Sequence, residues 1–282
     1  MDIFNDQMPY SMINEINAAT AFIHTKTNLK PETGIILGTG LGNDFVYCIQ
    51  DPVVIDYKDI PNFPISTVEF HKGRLILGYL EGKRIVAMQG RFHYYEGYSM
   101  QQITFPVRVL GALGIKRLLI SNAAGNLNTA WKKGDLMLID DHINLQPDNP
   151  LRGHLEESMG PRFPDMSRPY NQNLNNKLRA IAQQEGIVLR DGVYVSVMGP
   201  NLETRAEYRF LKQIGANAVG MSTVPEVIVC AHMRLDCCAV SVLTDDCDPD
   251  HLEPVKIEDI LAVAAGSEKK LTKLFTRLIS SI

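Results

Sequence analysis

The chain has little that would suit a membrane, a disulfide scaffold or a nucleic-acid surface. No apolar run approaches the ~18 residues that cross a bilayer. The five cysteines, Cys48, Cys230, Cys237, Cys238 and Cys247, include no CxxC pair, and an odd number fits a reducing compartment. The opening MDIFNDQMPYSMINE lacks the basic and apolar regions of a signal peptide, so the expected location is the cytoplasm. A net charge of -4 leaves no basic surplus for nonspecific nucleic-acid binding. There is no HExxH, no paired Cys/His set and no D-x-D-x-D-G loop. No repeat, low-complexity tract or linker interrupts the 282 residues. One domain, 1–282, is expected.

What is present is an alternation of strand-like and helix-like segments. Ile13, Ile16, Ala19 and Ile23 recur at helical spacing, which predicts a first helix over 9–28. GIIL then reads as a buried strand running into GTGLG. Strands are predicted at 75–80 and 84–88, joined by the hairpin pair Glu81 and Gly82, so the sheet is not purely parallel. TFPVRVLGAL predicts a helix with Pro106 near its first turn, and RLLIS a strand leading into Asn122-Ala123-Ala124-Gly125. LMLIDDHINL is a further strand, 146–171 a long ordered loop, and 173–185 a helix. CAVSVLT is another strand. From about Pro254 the apolar residues fall on one side of a closing helix. The pattern is α/β, with a mixed central sheet covered by helices.

The stretch 198–226 concentrates polar candidates at the ends of two successive strands. Asn201 reads as a helix cap, Glu203 as the first-turn residue and Gly215 as the stop. Thr223-x-x-Glu226 has the form of a capping box on the next helix, whose start would bind an anion. Glu203 either holds a neutral heterocycle by accepting from ring N–H groups or merely complements a helix dipole. Met221 reads as core.

GTGLG is either a tight turn or a set of backbone N–H groups open to an anion. A dinucleotide fingerprint needs a sixth-position glycine, and that position is Asn43. Asp56 lies at the distance of a ribose-binding acid. Before Pro52, however, there is room for only a short helix, so a dehydrogenase is set aside. Arg91 and His93, at i and i+2, offer two donors to one side of an extended chain, or else a surface Arg beside a packed His. Thr39, Arg91, His93 and Ser222 all follow apolar runs, and that common position points to an oxyanion pocket. Asp245, Asp246 and Asp248 close the strand CAVSVLT, as a solvated acidic loop or a cation cluster.

In this order, ILGTGLG, HKGRL, MQGRFHYYEGY, TFPVRVLGALG, SNAAGNLN, GDLMLIDDHINL, NPLRG, RFPDMS, GPNLETRAEYR and VGMSTVPEVIV resemble the trimeric purine nucleoside phosphorylases over nearly the whole chain. The resemblance implies a single-domain mixed β-sheet with a distorted barrel, flanked by helices and assembled as a homotrimer. It implies reversible phosphorolysis of purine nucleosides to free base and α-pentose 1-phosphate, with inorganic phosphate as co-substrate and no cofactor or metal. Carried across residue by residue, phosphate would meet Thr39, His71, Arg91, His93, Ala123 and Ser222. The sugar would meet Tyr95, Met221 and, from a neighbouring subunit, Phe163. The purine would lie against Ala124, Leu202, Glu203, Gly220 and Asp245. The catalytic groups would be Asp245, His93 and Glu203.

The chain departs from the family pattern at four of these positions. Thr39 stands for a common Ser, keeping the hydroxyl. Leu202 replaces an aromatic that flanks the base. Ile257 falls where some members have a His on the 5′-hydroxyl. Asp245 stands for the usual Asn facing N7 and the 6-substituent. An ionised Asp only accepts hydrogen bonds, which favours a 6-amino group, and it must take up a proton to serve N7 as donor. Adenosine or methylthioadenosine is therefore an alternative to inosine and guanosine. A non-catalytic nucleoside-binding protein is a third reading, if Asp245 has removed the leaving-group donor.

Overall fold

A computed structural model describes residues 12–65, 72–153 and 156–282. His71 and the first residues of the expected opening helix lie outside the described residues. Helix α1 (Met12–Lys26) buries Ile16, Ala19 and Ile23, as their spacing predicts. Strand β1 (Thr33–Leu37) is buried along its length and is followed by the short α2 (Asn43–Tyr47). Strand β2 (Gln50–Asp56) is one that the apolar pattern did not reveal, because it lies exposed along most of its length at the sheet's edge. It pairs with β3 (Arg74–Leu80), and Arg74 Nε lies 3.2 Å from Asp56 Oδ1. Asp56 is thus half of an exposed ion pair. The turn from β3 into β4 (Lys83–Gln89) places Glu81 and Gly82 at φ 50° and 71°, as a two-residue primed hairpin requires.

Two expected helix starts move, and a third lacks its expected capping bonds. Helix α3 (Met100–Ala112) begins earlier than TFPVRVLGAL, because Ser99 and Gln102 form a reciprocal capping box. Pro106 therefore sits in the helix interior and not in its first turn. After β5 (Arg117–Asn126), β6 (Leu136–Asn144), α4 (Gln172–Gln184) and β7 (Leu189–Ser196), helix α5 spans Arg205–Gln213. Its cap is Thr204, whose hydroxyl accepts from the Glu207 N–H, and not Asn201; Glu203 lies outside the helix. Strand β8 (Ala218–Gly220) leads to α6 (Val224–His232). Thr223 occupies the α6 cap position without a side-chain cap hydrogen bond, so the expected capping box with Glu226 is absent. Strand β9 (Asp236–Asp246) and the 24-residue α7 (Ile257–Ser280) complete the chain.

The strands form one sheet in the order β2-β3-β4-β1-β5-β8-β7-β6-β9, and β9 returns to pair with β5. The part from β5 to β9 therefore closes into a barrel-like ring, and β2, β3, β4 and β1 extend from it as an open sheet. Strand β5 is the seam. It pairs with β9 along 117–126, with β1 over 117–120 and with β8 over 125–126. A strand has two edges, so β1 and β8 must share the one opposite β9. The segment between those pairings, Ser121 to Ala124, is where the sheet divides. Helices α1, α3 and α6 bury one face; α2, α4 and α7 bury the other. Cover on both sides explains why β1, β5 and β9 read as continuous apolar runs and not as alternation.

Candidate active site

The division of the sheet opens a cavity of about 300 Å³ at the carboxyl ends of β1, β4, β5 and β9. Open α/β sheets bind ligands at such switch points. Thr39 comes from the turn after β1, Arg91, His93 and Tyr95 from the segment after β4, and Ala123 and Ala124 from β5 itself. Because β8 runs antiparallel to the end of β5, its last residue, Gly220, and the following Met221 and Ser222 fold back into the same space. Leu202 and Glu203 enter from the segment between β7 and α5, Asp245 from β9 and Ile257 from α7. Asn122, Gly125, Pro200, Val219, Thr244 and Ile260 also line the cavity and were not predicted. Phe163 does not; it is 87% exposed, with the Arg162 guanidinium 5.9 Å from its ring centre.

One end of the cavity carries a buried guanidinium and is rich in hydroxyls. Arg91 is buried, with Nε 3.4 Å from Glu226 Oε1. Its Nη1 donates to Ser222 Oγ at 2.7 Å and Thr223 Oγ1 at 3.2 Å. Asn122 Nδ2 donates to the same Thr223 oxygen at 2.8 Å. Thr223 has φ 71°, an unfavoured conformation for a β-branched residue. Its hydroxyl turns inward to orient Arg91 and Asn122, and that is why it caps nothing. Glu226, half of the expected capping box, is instead the buried counter-ion of Arg91. Removing either partner of such a pair leaves an uncompensated charge.

His93 stacks on Tyr95, ring centres 4.7 Å apart, and its Nδ1 lies 3.1 Å from Glu96 Oε1. Burial lowers the His93 pKa despite that carboxylate, so the ring is neutral at neutral pH. In the tautomer that donates from Nδ1 to this carboxylate, Nε2 is an acceptor. Burial also pushes the Tyr95 hydroxyl up to about 12, which keeps it protonated.

The other end of the cavity carries two carboxylates. Burial raises the Glu203 pKa, Asp245 nearby adds to the rise, and hydrogen bonds from its own backbone and from the Tyr208 hydroxyl oppose it. Asp245 is 8% exposed; Oδ1 accepts from the Thr244 hydroxyl at 2.8 Å and Oδ2 from the Cys247 thiol at 3.4 Å. The Tyr208 ring packs beside Cys247, and burial together with the neighbouring Cys247 and Glu203 pushes its hydroxyl pKa up. Cys247 thus lies between Asp245, to which it donates, and Tyr208 behind the cavity. Gly125 makes room for this thiol, since a Cβ there would stand 2.5 Å from Cys247 Sγ. No sequence signal marked Tyr208 or Cys247, because their roles rest on a pairing between distant segments.

The glycine turn is only partly open to a ligand. Gly42 N–H and Asp44 N–H both donate to Glu268 Oε1, at 2.6 and 2.8 Å. The start of α2 is therefore already occupied by a carboxylate from α7, and Thr39 is the residue of the turn that faces the cavity. The acidic loop forms no metal cluster: among the described residues no group of three or more His, Cys, Asp or Glu is arranged to hold an ion. No helix among them is long and apolar enough to cross a membrane.

Residues 32–280 match the model of the Phosphorylase superfamily. The chain is 46% identical over 271 residues to purine nucleoside phosphorylase 1 of Bacillus subtilis (strain 168), covering 96% of this chain and 98% of that one. It superposes on isoform 2 of purine nucleoside phosphorylase from Schistosoma mansoni, in complex with cytosine and ribose-1-phosphate, with a TM-score of 0.92 at 39% identity, covering 98% and 99% of the two chains. A Schistosoma mansoni purine nucleoside phosphorylase in complex with adenosine gives a TM-score of 0.91 at 38% identity, covering 96% and 99%.

The shared acceptor at Thr223 yields a prediction. Thr223→Val keeps the shape but strips Asn122 and Arg91 of a buried partner. It is expected to lower the unfolding free energy by about 1–3 kcal/mol in a urea titration; an unchanged midpoint would show that Thr223 Oγ1 does not hold these groups.

Proposed function

This chain belongs to the phosphorylase superfamily, and on that premise we propose that its cavity performs reversible phosphorolysis of purine (2′-deoxy)ribonucleosides. The products are free purine and α-(deoxy)ribose 1-phosphate. The observation that carries this reading is the polarity of one cavity, with a buried guanidinium and hydroxyls at one end and two carboxylates at the other.

Breaking the glycosidic bond leaves positive charge on the sugar and negative charge on the purine. Phosphate held beside the sugar stabilises the cation and then attacks it, so the enzyme's task is positioning and electrostatics. In this reading Arg91, Thr39, Ser222 and the Ala123 backbone hold phosphate. Neutral His93 accepts from a protonated phosphate oxygen through Nε2, whereas the sequence had cast it as a donor. Tyr95 and Met221 flank the sugar; Ala124, Leu202 and Gly220 flank the base. Ionised Glu203 accepts from ring N–H groups and fixes the purine. His71 remains a proposed phosphate contact. Phosphate is a co-substrate, and no metal or organic cofactor is required. The proposed location is the cytoplasm, to be checked by cell fractionation.

A second reading within the same activity concerns the base. Both oxygens of Asp245 accept from donors behind it, Thr244 and Cys247, and so Asp245 faces the cavity as an acceptor. That favours a 6-amino purine, and the apolar, half-exposed Ile257 tolerates a changed 5′ group. Initial rates on inosine, guanosine, adenosine and methylthioadenosine, with and without phosphate and after chelation, test both readings. Purine release is expected to require phosphate and to survive chelation. Asp245→Asn is expected to shift the ratio of kcat/KM toward inosine by about tenfold or more, since one misplaced donor or acceptor costs a buried hydrogen bond. Binding of purine without any turnover would favour the non-catalytic alternative.

The raised Glu203 pKa fixes a pH dependence. The ionised form accepts through both oxygens and with its charge, whereas protonation turns one oxygen into a donor, so kcat/KM is expected to fall as pH drops through a value above 4.5, and Glu203→Gln is expected to lose that acid limb. The stability effect has the opposite sign: the folded state holds this proton more tightly than the unfolded chain, so ionised Glu203 destabilises above that pH.

We also propose a homotrimer in which Phe163 closes a neighbour's sugar site, which accounts for a large aromatic left 87% exposed. Light scattering is expected to give three times the mass of the chain. Phe163→Ala is expected to raise the nucleoside KM about tenfold, by loss of an aromatic contact, with an unchanged melting temperature. A monomeric mass would sink this arrangement.

A further inference from the structure

We propose that Glu268, which does not itself line the cavity, is a positioning residue for the phosphate-holding turn; this rests on the phosphorolysis reading. The turn 38–42 must hold the Thr39 hydroxyl at the cavity wall, yet it contains three glycines, at 38, 40 and 42. Glycine gives the turn its shape and also leaves it the most freedom to lose. The five-residue α2 that follows is too short to hold the turn by itself.

The restraint comes from two sides. At the start, Gly38 N–H donates to Ser121 Oγ at 3.2 Å, and the backbone of β5 is so close that a Cβ on Gly38 would stand 2.7 Å from Ser121 O. At the end, one oxygen of Glu268 accepts from both Gly42 N–H and Asp44 N–H. Glu268 is 4% exposed, and charge-assisted bonds of this kind are about twice as strong as neutral ones. Between these anchors Gly40 lies flat on α7, where a Cβ would stand 3.0 Å from Ala264 Cβ. Ser267 Oγ donates to Gly134 O at 3.0 Å and ties the same helical turn to the body of the protein.

Helix α7 therefore touches the cavity twice. Ile257 and Ile260 line it directly, and Glu268 reaches it through the turn that carries Thr39. A carboxylate that only stabilised the fold would, when lost, weaken the protein or disturb both substrates alike. A positioning role acts on phosphate alone.

The test is steady-state kinetics of the full chain with phosphate varied at saturating nucleoside, and the reverse. Glu268→Gln keeps an acceptor oxygen without charge, and Glu268→Ala removes it. The phosphate KM is expected to rise about threefold in the first and about tenfold or more in the second, in step with the strength of the bonds lost. The nucleoside KM is expected to stay within about twofold in both. A phosphate KM unchanged in Glu268→Gln, or a parallel rise in both KM values, overturns the inference; where Glu268→Ala does not fold, Glu268→Gln decides. Phosphate-independent release of purine by the parent protein would instead overturn the phosphorolysis reading and this inference with it.

Discussion

Strand β5 is asked to pair with three neighbours while having only two edges. It meets the demand by giving one edge wholly to β9 and dividing the other between β1 and β8. Between the two partners the backbone at Ser121 to Ala124 is released from one ladder, and the sheet must part there. Everything chemical in the molecule gathers at that parting. Strands β1, β4 and β9 end beside it, and β8, running the other way, doubles its own end back into it. The cavity is thus a consequence of strand pairing before it is a property of any side chain.

The parting exposes polar backbone and side chains that need partners, and the two ends of the cavity supply them differently. At one end a buried guanidinium is balanced by Glu226 and oriented by the hydroxyls of Ser222 and Thr223, with Thr223 held at φ 71° to do so. A pair already neutral in the resting protein can meet an anion without leaving a bare charge buried beforehand. At the other end two carboxylates lie close together, and Asp245 accepts from the Thr244 hydroxyl and the Cys247 thiol. Burial, with a smaller contribution from the nearby Asp245, keeps Glu203 more readily protonated than an exposed glutamate. Backbone strain and buried charge coincide at the site, where such costs are usually found.

Much of this was legible in the residues. Runs such as GIIL and CAVSVLT were long enough to mark buried strands, Glu81 and Gly82 marked the hairpin, and Gly215 marked the end of α5. Of the expected contacts among the described residues, every one except Phe163 lines a single cavity. What local pattern misjudged were the helix starts. Asn201, Glu203 and Thr223-x-x-Glu226 all satisfy local capping rules, yet Thr204 and Glu207 form the cap, while Thr223 and Glu226 turn to Arg91. Capping is worth about 1 kcal/mol, and a buried guanidinium in need of partners outweighs it. The edge strand β2 was missed for the opposite reason, since an exposed strand has no apolar signature.

By itself the sequence determined the α/β class, the order of most elements and, through its ordered motifs, the family of the chain. These depend on neighbours along the chain, where periodicity and turn chemistry act. Only the tertiary structure decided which polar residues serve a ligand and which serve one another. Glu226 and Glu268 acquire their partners from segments far away in sequence, and a hydrogen bond or ion pair between such segments exists only once the sheet has closed and its cover of helices has packed.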